Sequence, residues 1–210
     1  QLAVEVGEQK LAEQAANYGI GQTDLTIPMS VVPSCIGSLS DGNCLNIADR
    51  PSLYQSGIGQ KDVRLTALEN AVIAATVAND GVRMRPQLVQ QVLAPDLAVI
   101  SDYEEEDEGN AISSGNAEQL RDMMILSEEH TGGEGKRDNL TIASKTGTAE
   151  TGADPKNTPP FAWYVAFAPA DNPKVAVAVV VESRDVAATG GKLSAAVGRA
   201  TINAALAGGN

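Results

Sequence analysis

The sequence predicts an α+β fold in which helices pack an antiparallel sheet, and three observations carry that expectation. Apolar residues recur at helical spacing through much of the first two thirds of the chain; strand-like runs gather in the last third; and a stripe of small residues closes the chain, able to lie close on a sheet face. Helices first and an antiparallel sheet later are the mark of that class. With 210 residues, 43% hydrophobic and 20% charged, the chain has the size and composition of one domain or most of one.

Leu2, Val6, Leu11 and Ala15 mark one buried face of a helix from Leu2 to Tyr18, ended by Gly19 and Gly21. Residues 21–60, rich in Gly, Ser, Pro and Asp, read as a long ordered excursion with little regular structure. Thr66-Ala67-Leu68-Glu69 is a capping-box pattern, in which hydroxyl and carboxylate each satisfy the other's backbone amide. It predicts a helix over 67–78, with Leu68, Val72, Ala75 and Ala78 on one face and Asn79-Asp80-Gly81 ending it. Residues 83–93 read as extended, broken early by Pro86. Residues 101–110 hold Asp102, Glu104, Glu105, Glu106, Asp107 and Glu108, an acidic surface loop within the domain.

A second helix is predicted from Ser113 to Leu126, capped by Ser113 or Ser114, with Ala117, Leu120 and either Met123 or Met124 inward. A glycine-rich link over 131–135 follows. Residues 140–150, 161–168 and 174–182 read as strands, the last two joined through Pro169-Ala170-Asp171-Asn172-Pro173 as an antiparallel hairpin. After Gly190-Gly191, Leu193, Val197, Ala200 and Ala204 mark the packed face of a terminal helix.

Charge and motifs narrow the function. The formal charge of −12 repels phosphate backbones, so no nucleic-acid partner is expected. The longest apolar run, Phe161 to Ala168, falls far short of the roughly 18 residues that cross a bilayer. The chain opens on Gln1 inside a helical pattern and reads as a fragment or processed product. His130, beside Glu128 and Glu129, is expected in an exposed loop, and no clustered ligands predict a metal or any other cofactor. Cys35 and Cys44 flank a turn-rich stretch containing Gly37, Asp41 and Gly42 without CxxC spacing. A loop-closing disulfide fits an oxidising compartment, and two structural thiols are the alternative. Nucleophile-elbow, Walker and dinucleotide glycine motifs are all absent from the sequence.

What stands out is Lys145-Thr146-Gly147-Thr148-Ala149-Glu150, a Lys-Thr-Gly triplet inside a predicted strand at the start of the last sheet-and-helix block. Around it stand Gly57-Ile58-Gly59-Gln60, Ala78-Asn79-Asp80-Gly81, Arg85-Pro86, the run Phe161 to Pro169 and Gly190-Gly191. With these the chain resembles, over nearly its whole length, the carboxy-terminal part of the transpeptidase domain of class B penicillin-binding proteins, of the actinobacterial penicillin-binding protein A type. The resemblance implies a penicillin-binding-protein and serine β-lactamase-like fold, here a partial domain spanning residues 1–210. It implies peptidoglycan stem peptides and β-lactam antibiotics as ligands, and acyl transfer through a serine.

That serine's motif, Ser-x-x-Lys, occurs nowhere in the chain. Ser114-Gly115-Asn116 matches the second motif in letters but lies on the wrong side of the Thr66 helix for the family order, and reads as a helix start. Both motifs are therefore expected on an amino-terminal segment of the same protein, which would also carry any membrane anchor and place the domain outside the cytoplasm. A noncatalytic binding or sensor module is the alternative. The resemblance assigns Lys145 and Thr148 catalytic roles, electrostatics with proton transfer and an oxyanion-hole N–H respectively. It gives Lys145, Thr146, Gly147 and Thr148 the substrate strand, with the Thr146 hydroxyl on a carboxylate. Strand alternation sends Lys145 and Thr146 to opposite faces, so the resemblance further implies an exposed, twisted edge.

Overall fold

In the computed structural model, which describes residues 1–22, 27, 29–40, 43–44, 46–152, 154 and 156–208, the amino-terminal pattern folds as two helices. These are α1 (Leu2–Val6) and α2 (Glu8–Asn17), and the single helix expected from Leu2 to Tyr18 is interrupted because Gly7 takes φ 86 between them. The excursion that follows holds more regular structure than its composition suggests. β1 (Cys35–Ile36), β2 (Leu39–Ser40) and β3 (Asn43–Cys44) are two-residue strands, and a disulfide joins Cys35 to Cys44 with Cα atoms 5.5 Å apart. Asp41 and Gly42 lie outside the described residues. Helix α3 (Arg50–Ser56) also stands here: the Asp49 carboxylate accepts from Ser52 N at 2.8 Å, and Pro51 sits in the first turn, where a missing N–H costs nothing. β4 (Val63–Arg64) pairs with β1.

Helix α4 (Ala67–Ala78) has the bounds its sequence predicts, and Thr66 Oγ1 accepts from Glu69 N at 3.0 Å. Only half of the capping box closes. Thr66 N donates to Ser34 Oγ at 3.2 Å, which frees the Glu69 carboxyl to turn inward, where it is 2% exposed. Asp80 and Gly81, at φ 51 and 91, then reverse the chain.

β5 (Val82–Met84) pairs with the later β8 (Asp107–Asn110), enclosing the hairpin of β6 (Gln91–Leu93) and β7 (Val99–Asp102). The acidic stretch 101–110 is thus not one loop: Ser101 and Asp102 end β7, Asp107–Asn110 form β8, and only residues 103–106 connect them. Pairing with β5 recruits the charges, since Arg83 meets Glu108 and Arg85 meets Glu106, each at 3.1 Å.

Helix α5 (Ser114–His130) is capped by Ser113, whose Oγ accepts from Asn116 N at 3.2 Å, and runs on past Leu126. His130 therefore ends a helix rather than occupying a loop; it is exposed, with Nδ1 2.8 Å from the Leu126 carbonyl oxygen. Met124 is the methionine that packs inward, while Met123 is 56% exposed.

β9 (Ala143–Ala149), β10 (Phe161–Ala168) and β11 (Val175–Glu182) form an antiparallel sheet in the order β11-β10-β9, so β9 is an edge. Alternation splits the core in two. Tyr164, Ala166, Ala168 and Val177 meet Ala195 and Ile202 of α6 (Ser194–Gly208) on one face. Ala143 and Phe167 meet Ala74 and Val77 of α4 and Leu120, Met124 and Ile125 of α5 on the other. Helix α6 presents a different face from the one its small-residue stripe predicts. Val197, Ala200 and Ala204 are exposed, as is Leu193 just before the helix, while Ala195, Gly198, Arg199 and Ile202 are buried. The Tyr164 ring occupies the space a Cβ at Gly198 would fill, and Arg199 is held by a buried carboxylate, so packing and pairing override hydropathy.

Candidate active site

Lys145, Thr146, Gly147 and Thr148 lie side by side on edge strand β9, with Lys145 and Thr148 exposed and Thr146 and Gly147 half-buried. In an antiparallel ladder, successive residues alternate between exchanging hydrogen bonds with the neighbouring strand and turning both main-chain groups away from it. The Thr148 carbonyl accepts from Gln60 Nε2 at 3.1 Å, and the Thr146 carbonyl accepts from Lys145 Nζ at 2.6 Å. Thr146 and Thr148 thus turn their main-chain groups toward the outer edge, while Lys145 and Gly147 face Val165 and Trp163 of β10. Lys145 reaches that edge on its long stem. The alternation of side chains does not separate its ammonium from the Thr146 main chain.

Behind the strand lies a buried polar network that hydropathy patterning does not reveal. Ser144, immediately before Lys145, donates through Oγ to Glu128 Oε2 at 2.5 Å, and Tyr164 Oη, directly opposite Thr146 on β10, donates to the same oxygen at 3.1 Å. Arg199 Nε donates to Glu128 Oε1 at 2.6 Å, and the remaining guanidinium nitrogens donate to the carbonyls of Thr131, Gly132 and Glu134, each at 3.0 Å. Arg199, Tyr164 and Ser144 are each 0% exposed. Burial, reinforced by the Glu128 carboxylate, pushes the Tyr164 phenol well above the usual tyrosine range, so it acts as a hydrogen-bond donor at every physiological pH.

Two glycines bear on the same strand. Among the described residues an added Cβ at Gly147 meets only Trp163 Cβ, at 3.4 Å, whereas one at Gly190 strikes the main-chain oxygens of both Gly147 and Trp163. Close backbone approach to β9 is therefore made by Gly190, which brings the segment before α6 against the Lys-Thr-Gly strand. Trp163 is half-buried and its neighbour Tyr164 wholly so. Among the described residues no group of three His, Cys, Asp or Glu side chains gathers as metal ligands, and no helix is long and apolar enough to cross a membrane.

This α+β arrangement is the fold that the chain shares with solved penicillin-binding proteins. Residues 1–203 match the penicillin binding protein transpeptidase domain, and the chain belongs to that family. It is 49% identical over 208 residues to the peptidoglycan D,D-transpeptidase PbpA of Mycolicibacterium smegmatis, covering 98% of this chain and 41% of that protein. Identity to PbpA of Mycobacterium tuberculosis is 45% over 210 residues, covering 99% and 41% respectively. A solved structure of M. tuberculosis penicillin-binding protein A, a ceftriaxone acyl-enzyme complex, superposes with a TM-score of 0.90 at 45% identity, covering 98% of this chain and 45% of that one. The chain thus spans 41% of the length of these curated relatives.

Proposed function

We propose that the protein containing this chain is a peptidoglycan D,D-transpeptidase that works outside the cytoplasm, and that the chain supplies its substrate strand. The observation that carries this reading is the outward-turned main chain of Thr146 and Thr148 on edge strand β9, with the Lys145 ammonium beside it. An extended stem peptide adds to such an edge as a further strand. The Thr146 hydroxyl then takes the terminal D-Ala carboxylate, or that of a β-lactam, and the Thr148 N–H donates to the developing oxyanion. Lys145 contributes positive charge and helps relay the proton.

A serine supplied by another part of the domain attacks the penultimate D-Ala carbonyl. Its oxygen forms the ester, the peptide C–N bond breaks, and the serine proton passes to the departing D-Ala amine. An acceptor amine then attacks the ester and returns a proton to the serine, leaving a crosslink. The Cys35–Cys44 disulfide supports an oxidising compartment. Membrane attachment belongs, in this reading, to a part of the protein outside this chain.

Labelling with a fluorescent penicillin tests the proposal. The 210-residue chain alone stays unlabelled, since no serine in it has a lysine three residues on, and the parent protein acquires a covalent label. In that parent, Lys145→Ala slows acylation. Thr146→Val lowers the second-order rate constant by about ten- to a hundredfold through the lost bond to a charged partner. A parent that takes no label is instead a noncatalytic binding module, and a Thr146→Val variant with unchanged kinetics removes Thr146 from carboxylate recognition.

A further inference from the structure

We infer that Glu128 is a positioning residue for the Lys-Thr-Gly strand, acting through Ser144 and Tyr164 to hold β9 where its outer edge can receive an acyl donor. The inference rests on the transpeptidase reading above. Glu128 Oε2 takes one donor from each of two neighbouring strands, Ser144 on β9 and Tyr164 on β10. These two side chains bracket Thr146: Ser144 is two residues before it on the same face, and Tyr164 stands directly opposite it. The carboxylate is itself fixed, because Oε1 is bound by Arg199, whose guanidinium is anchored by three carbonyls of residues 131–134.

Helices α5 and α6 and the segment between α5 and β9 thereby meet on one buried anion. Charge-assisted bonds make that anchor stiff. An edge strand has a neighbour on one side only, so its outer edge is the part of a sheet most free to shift, and a displacement there carries Thr146 and Thr148 with it. The network thus supplies on the inner side of β9 the restraint that a second neighbouring strand would give.

The test uses the parent protein and measures penicillin acylation under saturating conditions alongside thermal unfolding. Ser144→Ala removes only the hydroxyl that links β9 to Glu128. It is expected to lower the limiting acylation rate constant by about ten- to a hundredfold, a misplacement of reacting groups by about 1 Å being able to cost about a hundredfold. Ile202→Val trims the same core away from β9 and serves as the control. It is expected to lower the melting temperature while leaving the rate constant at the wild-type value. Tyr164→Phe is expected to slow acylation in the same manner as Ser144→Ala. Glu128→Gln, which strands the Arg199 charge, is read only where the variant folds, and there shows at least the Ser144→Ala loss.

Wild-type acylation rates in both Ser144→Ala and Tyr164→Phe overturn the inference while leaving the transpeptidase reading intact. So does an equal slowing in Ile202→Val, since that reports general loosening of the core. Failure of the wild-type parent to acylate overturns both.

Discussion

Gly198 decides how closely α6 lies on the sheet, because the Tyr164 ring occupies the space its side chain would fill. Gly198→Ala is therefore expected to destabilise the fold by ~1–3 kcal/mol despite alanine's better helix propensity, as read from chemical denaturation. Glu69 makes a pH-dependent contribution of its own. Burial raises its carboxyl to about 7, Arg83 pulling it back and Glu108 adding to the rise, and its Oε1 has no hydrogen-bond partner among the described residues. Arg83 itself is committed to Glu108 and to Gln22, at 3.1 and 3.0 Å.

A carboxyl that holds its proton more tightly folded than unfolded stabilises fully below its unfolded value of 4.5, and that contribution is lost as pH rises through about 7. Melting curves at pH 5 and pH 8 should show Glu69→Gln losing less stability across the interval than the wild type; equal losses would refute the assignment. Neither residue declared itself in the sequence. Glu69 reads as half of a capping box whose amide partner is in fact taken by Ser34, and Arg199 carries no local signal because its counter-charge lies 71 positions earlier.

Elements were legible where one local rule governed them. α4 begins at a capped threonine and ends at Asn79-Asp80-Gly81, and β10 is an unbroken apolar run, so both have the bounds read from sequence. Thr66→Ala should accordingly cost ~1 kcal/mol in thermal unfolding, the ordinary value of a lost cap. Where a single residue interrupts a periodic pattern, the reading fails: Gly7 splits α1 from α2, and Asp49 with Pro51 starts α3 inside a stretch whose composition reads as loop. The face of α6 was misread for another reason, since its packed side is defined by a glycine and an arginine rather than by hydropathy. The disulfide restrains the poorest of these regions. Reduction should lower stability by ~2–3 kcal/mol on the chain-entropy account, and nonreducing mass analysis of oxidatively folded material should find no free thiol.

At the scale of the whole molecule, an antiparallel sheet packed by helices came from patterning, whereas an exposed edge for Lys-Thr-Gly came only from the family resemblance, and the strand order β11-β10-β9 places β9 at that edge. The tie between the Gln60 loop and Thr148 joins residues 88 positions apart and had no local signal. The grip of Arg199 on the carbonyls of Thr131, Gly132 and Glu134 has a consequence for how the molecule comes apart. Composition makes residues 131–135 the natural site for an endoprotease to nick or for an inserted tag, yet cleavage requires a segment to peel away and enter the protease cleft extended. A glutamate-specific endoprotease should cut first in the exposed connector at Glu104 to Glu106. The bond after Glu134 should survive until the domain unfolds, so that the glycine-rich link behaves as a rivet rather than a hinge.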